Sequence, residues 1–352
     1  MVVCVLKLGG IGDILMVTPG LRGLRKSFPH DRICFITGRT NRQVLARSPY
    51  VDELVIVDDG RIFGRSFSAR VAEVARLFWI IRRTRPGVLF VLHRDWRWNL
   101  LALLAGVPKR YGFARDLKGL FLSRSVSIYS TDHEIHKYLK LFEMRPGYRS
   151  EGTDMEIFPS PHDHTSARAL LGPFRDRLLV AIAPGGASNV RSEMKSRRWP
   201  LMSYRHLIET LLEEREDLVI LLAGGRSDRK LTSSLLIDHA RVIDLAGRTS
   251  IQQTYLFLRC CRVLVTNDSG TMHMGAAAGI PVVSIFGPTA PAELRPLTSP
   301  SDFALWKGRR LSCAPCYSEG RFPECETHEC MHLVSVEDVL AKVLSLLSGD
   351  SF

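Results

Sequence analysis

Residues 2–26 read VVCVLKLGGIGDILMVTPGLRGLRK, and this stretch decides the fold. Val2 to Leu8 is a short apolar, β-branched run that reads as a strand, and it ends in Gly9–Gly10. A helical spacing then opens at Asp13, with Leu15, Leu21 and Leu24 recurring on one face. Strand, glycine loop and helix in that order open a parallel, doubly wound α/β sheet.

The chain continues in the same rhythm. Residues 32–38 (RICFITG), 53–57 and 88–92 (VLFVL) read as further strands, with helices expected near 41–47 and 68–83. From about 144 to 173 the chain turns irregular and rich in Pro, Gly, His and Asp, which fits an interdomain linker. A second cycle follows. LLVAIA at 178–183 runs into Pro184–Gly185–Gly186, LVILLA at 218–223 into Gly224–Gly225, and PVVSIF at 281–286 into Gly287–Pro288, with strands at 242–245 and 263–266 between. Strands that finish in glycine turns place their loops along one sheet edge, where open α/β sheets bind ligands. The expected domains are residues 1–160, residues 161–335 with a Cys-rich loop at 313–330, and a terminal helix in 336–352.

Length and composition agree. A chain of 352 residues, 45% hydrophobic and 24% charged, has material for two cores. No window approaches the roughly 20 apolar residues that cross a bilayer, and Lys7 and Asp13 interrupt the apolar N-terminus where a signal peptide carries no charge. The expected location is cytoplasmic. Forty-eight Lys and Arg against 36 Asp and Glu give +12, which calls for an anionic partner. Nucleic-acid signatures are missing from the sequence, which leaves nucleotide-sugars and phosphorylated lipid. The basic runs at Arg22–Arg25–Lys26, Arg82–Arg83–Arg85, Arg94–Arg97 and between Lys109 and Arg124 fall in the first half, so a docking face belongs to the first domain, with peripheral association at the inner face of the membrane.

Gly9–Gly10–Ile11–Gly12–Asp13 invites a dinucleotide reading, which fails twice. Leu15 stands where the third glycine belongs, and the second strand ends in Thr37–Gly38 without an acid for a ribose. The loop still offers backbone amides and one carboxylate. Asp13 is a helix cap or a general base. The other informative segment is TNDSGTMHMGAAAGIPVVSIFGPTAP, residues 266–291. Asn267, Asp268, Ser269 and Gly270 follow a strand directly, and a small-residue helix begins there, so its N-terminus suits phosphate. His273 lies in the first turn and is either a phosphate contact or a satisfied core histidine.

These residues carry a resemblance. Asp268–Ser269–Gly270–x–x–His273, the Ala-Ala and Gly279 that follow, and Phe286–Gly287–Pro288–Thr289 look like the donor signature of glycosyltransferase family 9, the bacterial heptosyltransferases. Gly12–Asp13–x–Leu15 with Thr18–Pro19, Leu21–Arg22 and Leu24–Arg25 resembles that family's opening motif. Pro184 to Ser188, Arg197–Arg198–Trp199–Pro200, and His133–Glu134 with Tyr138–Leu139 resemble other family segments. The resemblance implies a GT-B architecture, two Rossmann-like domains facing across a cleft with the terminal helix in 336–352 crossing back to the first domain, and inverting, metal-independent heptose transfer from an ADP-heptose donor. It implies Asp13 as catalytic base; Gly12, Thr18, Arg197, Asp268, Ser269, Gly270, His273 and Thr289 around the donor; and Arg22 toward the acceptor, either anionic lipopolysaccharide core or a protein. Arg197 stands where the family commonly has Lys before x-Trp-Pro, and Lys195 is a substitute. Asp228 or Asp244 could reach the nucleoside, although both suit turns better. The alternatives are a non-catalytic nucleotide-sugar-binding or assembly protein, and a transferase that uses another nucleotide-sugar.

Cys313, Cys316, Cys325 and Cys330 form C-x2-C-x8-C-x4-C in a loop rich in Pro, Ser, Gly and Glu. In a cytoplasmic protein this spacing suggests a structural iron or zinc knot, against free thiols or one redox-labile pair. A similar loop in autotransporter-modifying relatives looks like an iron finger, and its task would be bracing a loop or a contact between copies in a homo-oligomer. No cofactor is expected for the transfer itself.

Overall fold

The computed structural model describes the whole chain except residues 115, 128–130, 187–193, 237–239, 318–324 and 349–352. Met1–Phe158 forms one compact unit, and the described residues from Pro159 onward form a second.

The first unit holds a six-stranded parallel sheet: β1 (Val2–Leu6), β2 (Arg32–Gly38), β3 (Glu53–Val57), β4 (Val88–Val91), β5 (Lys109–Ala114) and β6 (Arg124–Ser127), in the order β3-β2-β1-β4-β5-β6. The second repeats the plan with β7 (Leu178–Ala183), β8 (Leu218–Leu222), β9 (Val242–Asp244), β10 (Val263–Asn267), β11 (Val282–Phe286) and β12 (Ala304–Trp306), ordered β12-β11-β10-β7-β8-β9. Each sheet reverses its winding beside its own first strand, between β1 and β4 and between β7 and β10. Such switch points open a crevice at the carboxyl ends of the strands.

The central strands are apolar because helices cover both their faces. Val3 to Leu6 and Val263 to Val265 are fully buried. On one face of the first sheet, Leu77 and Ile81 of the helix Phe67–Thr84 and Trp98 and Ala102 of the helix Trp96–Leu104 pack on Cys4, Leu6, Leu89 and Val91. In the second unit the helix Leu201–Glu214 and the terminal helix Val336–Leu347 close one face of the sheet. Val339 and Val343 of that terminal helix, which sequence reasoning sent back to the first domain, are buried in the second unit's core.

The expected linker is partly helical. Pro161–Leu171 forms a helix opened by a capping box, in which Ser160 Oγ accepts the Asp163 N–H and Asp163 accepts the Ser160 N–H. Strands β5, β6 and β12 were not expected; β6 and β12 are edge strands, and β5 stands second from an edge.

Candidate active site

In the first unit the site grows from the end of β1. Lys7 follows the last residue of the strand, and its ammonium lies 3.1 Å from Asp13 Oδ1 and 5.0 Å from the centroid of the Tyr138 ring. Asp13 Oδ2 accepts the Gly10 N–H at 2.8 Å. The turn that allows this needs a glycine at position 9, because a Cβ there would stand 2.5 Å from Asp13 Oδ2. Gly12 is buried within the short helix Ile11–Leu15 that carries the aspartate. The Asp13 side chain is 38% exposed, so its carboxylate is held and still reachable.

Burial pushes the Asp13 carboxyl upward, but the Lys7 ammonium and the Gly10 amide outweigh it and hold the group below the usual carboxylate range. It is therefore ionised at neutral pH. The Leu8 N–H donates to His93 Nε2 at 2.7 Å, which requires the lone pair at that nitrogen and puts the proton of the neutral ring on Nδ1. Beneath this layer Lys137 Nζ pairs with Glu134 at 2.9 Å, and Arg94 pairs with the same carboxylate. Glu134 begins the helix Glu134–Glu143, whose Tyr138 lies under Lys7.

Thr18 and Arg22, expected near a ligand, serve the chain itself. Thr18 Oγ1 donates to Leu15 O at 2.7 Å and accepts the Glu156 N–H at 3.0 Å. Arg22 donates to Glu156 Oε2 at 2.8 Å and to the carbonyls of Asp154 and Glu151 at 3.0 Å. Both side chains are buried, and both lock the 151–156 segment onto the helix Thr18–Ser27.

In the second unit three loops meet at the ends of β7, β8 and β10. Asn267, fully buried, is the hub: its Oδ1 accepts from the Trp199 N–H at 2.9 Å and the Tyr204 hydroxyl at 3.0 Å, and its Nδ2 donates to Pro184 O at 2.9 Å and Gly185 O at 3.3 Å. Asp268, the next residue, receives Arg197 Nη2 at 2.5 Å and the Thr289 hydroxyl at 2.7 Å. Arg198 donates to Gly186 O at 3.0 Å, and Gly186, at φ 76°, leans so closely on Ser269 that a Cβ would come within 2.7 Å of it. Ser269 precedes the helix Gly270–Ala277 without capping it, and His273 is buried on that helix. Gly275 brings the helix onto the sheet, since a Cβ there would stand 2.6 Å from Leu264 Cδ2. Expected donor residues 197, 268, 269, 270, 273 and 289 thus lie on neighbouring loops and one helix of this unit. Lys195 is exposed, while Arg197 is turned inward.

Asp228 and Asp244 are committed elsewhere. Asp228, buried, accepts the Gly225 N–H at 2.8 Å and the Gly186 N–H at 3.1 Å and ties two glycine loops together. Asp244 accepts from the Thr232 hydroxyl and the Ala246 N–H, both at 3.0 Å.

Sequence reasoning gave Lys7 no place at the site, and it placed Asn267 in the loop after the strand without its role as hub. A signal existed for the first, because a lysine closing a buried apolar strand must meet a carboxylate. For Asn267 there was none, since its partners come from positions 63 to 83 residues away.

The expected metal knot is not supported. Cys313, Cys316, Cys325 and Cys330 are free thiols, the first and third exposed and the last buried, and among the described residues no group of three or more His, Cys, Asp or Glu is arranged to hold a metal ion. A tetrahedral Cys4 site needs thiolates within about 2.3 Å of one point. Cys316, Cys325 and Cys313 lie near Cys330, whose thiol is pushed up to about 11 by burial and these neighbours, without forming such a group among the described residues. Residues 318–324, in the middle of that loop, lie outside the described residues.

The family model for glycosyltransferase family 9 (heptosyltransferase) matches residues 74–325. The chain belongs to that family. As a family 9 glycosyltransferase it is an enzyme, and its two Rossmann-like units are those of the GT-B fold class. It is 24% identical to the lipopolysaccharide heptosyltransferase 2 of Salmonella typhimurium, with 97% of each chain covered. In fold it is similar to the E. coli ADP-heptose lipopolysaccharide heptosyltransferase II, with a TM-score of 0.75, 21% identity and 99% of each chain covered. The iron-containing dodecameric glycosyltransferase TibC of enterotoxigenic E. coli shares the fold more distantly, with a TM-score of 0.56 and 13% identity; 99% of this chain and 77% of that chain are covered.

Proposed function

We propose that this family 9 enzyme transfers heptose from an ADP-heptose donor to a hydroxyl of lipopolysaccharide core, with inversion at the anomeric carbon and without a metal in the reaction. The observation that carries the reading is the Asp13 carboxylate, ionised by its ion pair with Lys7 yet open to solvent at the carboxyl end of β1. The curated relatives that align with nearly the whole chain support the sugar and the acceptor.

In this reading the acceptor oxygen attacks the anomeric carbon from the face opposite the leaving diphosphate. The carbon–oxygen bond to ADP breaks, and ADP leaves with the electron pair. Asp13 takes the proton of the acceptor hydroxyl as the new bond forms, when that proton is most acidic. A carboxylate of low basicity serves because the proton transfers within the displacement. Charge develops on the diphosphate, and the uncapped first turn of Gly270–Ala277, with Ser269, Gly270, His273 and Arg197, is the set proposed to receive it. Asp268 and Thr289 hold Arg197 until the donor arrives. Thr18 and Arg22 act as positioning residues, through the 151–156 segment they anchor.

A panel of ADP-, GDP- and UDP-sugars scored by melting temperature tests the donor, because a ligand that binds only the folded protein raises it. ADP-heptose is expected to give the largest rise. A larger rise with a GDP- or UDP-sugar would overturn the assignment.

A further inference from the structure

The segment from Arg61 to Arg94 contains eight arginines and a single acid, Glu73. That acid is spent: Glu73 is buried, accepts the Asp58 N–H and pairs with Arg76 at 2.5 Å. The helix Phe67–Thr84 therefore presents an outer face with no carboxylate. Its inner face, Leu77 and Ile81, is accounted for by the core.

The outer face is also apolar. Phe67, Val71 and Trp79 recur at spacings of four and eight residues, which puts them in one row about 18 Å long. Phe67 is 76% and Trp79 54% exposed. The neighbouring helix Trp96–Leu104 adds Leu104, 61% exposed, and Leu120 beyond it is 77% exposed. Arg82, at the end of the row, lies against Gly106, just past the last turn of that second helix. Among the described residues no carboxylate pairs with Arg82, Arg83 or Arg85.

Leucine, phenylalanine and tryptophan on a helix face flanked by arginines fit one kind of partner. We infer that the outer face of Phe67–Thr84 and Trp96–Leu104 lies on an anionic phospholipid surface, with Phe67, Trp79 and Leu104 entering the headgroup–acyl boundary and Arg82 and Arg83 on the lipid phosphates. No helix among the described residues is long and apolar enough to cross a membrane, so this attachment is peripheral. A second copy of the chain is a poorer occupant, because a two-fold contact through this face sets a carboxylate-free arginine cluster against itself. The two helices begin at the carboxyl edge of the sheet, which carries Asp13, and their last turns, with Arg82, Arg83 and Leu104, lie toward the opposite edge. The attachment stands independently of the transfer reaction.

Co-sedimentation of the full chain with vesicles of phosphatidylcholine alone, and with phosphatidylglycerol added, tests the inference without donor or acceptor. Binding is expected to the anionic vesicles only, weakening as salt rises. R82S/R83S should weaken it on the order of thirtyfold, and F67S/W79S by a similar factor, with unchanged melting temperatures. Should a double variant misfold, quenching of tryptophan fluorescence by brominated phosphatidylglycerol reads the same contact, with Trp79→Phe expected to lose part of the quenching. Equal binding to both vesicle types, no binding to either, or variants that bind like the parent would overturn it. So would variants that turn an oligomer into monomers by light scattering, which would give the face to a second copy.

Discussion

Lys7 Nζ sits 3.1 Å from Asp13 Oδ1, an ion pair that joins the residue just after β1 to the short helix Ile11–Leu15, across the turn at Gly9 and Gly10. The lysine side chain is nearly buried and the aspartate is partly open, so the pair has a protected cation and a reachable anion. That asymmetry lets one residue set the ionisation of the other without blocking it.

Replacing Lys7 with Met removes the charge and keeps most of the stem. In the parent, Lys7 helps hold the Asp13 carboxyl below the usual carboxylate range, so the acidic limb of the rate–pH profile lies below that range. In Lys7→Met, burial acts with less opposition and the limb moves to higher pH. The same shift has a stability counterpart: the stabilisation from the depressed carboxyl is present above its unfolded value and is lost as pH falls through the folded one. Profiles of kcat against pH for the two proteins check this, and a limb that stays in place contradicts the role given to Lys7.

Asn267→Ala leaves the Trp199 N–H and the Pro184 carbonyl without their partner in a site that water does not reach. Each orphaned buried group costs about 1–3 kcal/mol, so a loss of about 3 kcal/mol is expected, on the order of 10 °C in melting temperature. Thermal unfolding followed by circular dichroism measures it. An unchanged melt would mean the three loops hold without their hub.

Gly275→Ala sets two effects against each other. Alanine gains about 1 kcal/mol of helix propensity over glycine, whereas overpacking a filled core costs about 1–3 kcal/mol. A Cβ 2.6 Å from Leu264 Cδ2 and 2.9 Å from Val282 Cγ2 is closer than real Cβ contacts come, so the packing cost wins. The variant is expected to unfold at lower denaturant than the parent in an equilibrium titration; a stabilised variant would show that Leu264 gives way.

Arg197→Lys keeps a cation but loses the planar fork that reaches Asp268. Arg197→Met keeps neither and leaves the buried Asp268 with the Thr289 hydroxyl alone, a situation that costs about 3–5 kcal/mol. The expected order of melting temperature and of donor affinity by calorimetry is parent, Lys, Met. Donor affinity equal in all three would remove Arg197 from the proposed diphosphate contact.

Much of this was legible in the sequence, for identifiable reasons. Central strands such as Arg32–Gly38 and Leu178–Ala183 fall within the residues expected for them, because a strand buried on both faces must be apolar throughout. Strand β6 was hidden because an edge tolerates polar residues, and β5, second from that edge, because it opens on two basic residues: KRYGFA and RSVS read as basic loop, yet they pair in register with their neighbours. The helix Pro161–Leu171 was hidden by its own opening, since proline at a first helical position reads as irregular chain unless the capping box around it is noticed. At the site, Asp13 and the 266–291 segment were visible as residue types at loop positions. The commitment of Arg22 to Glu156 and of Thr18 to the Glu156 amide was not, because both partners lie more than 130 residues along the chain.

The central claim is that the Asp13 carboxylate takes the acceptor proton. Single-turnover and steady-state rates of Asp13→Asn with ADP-heptose and lipopolysaccharide core, alongside the melting-temperature rise on adding donor, test it most directly. The account predicts that turnover falls by about 10²–10⁴-fold while the donor-induced rise stays as in the parent. A variant that turns over within a few-fold of the parent would contradict it.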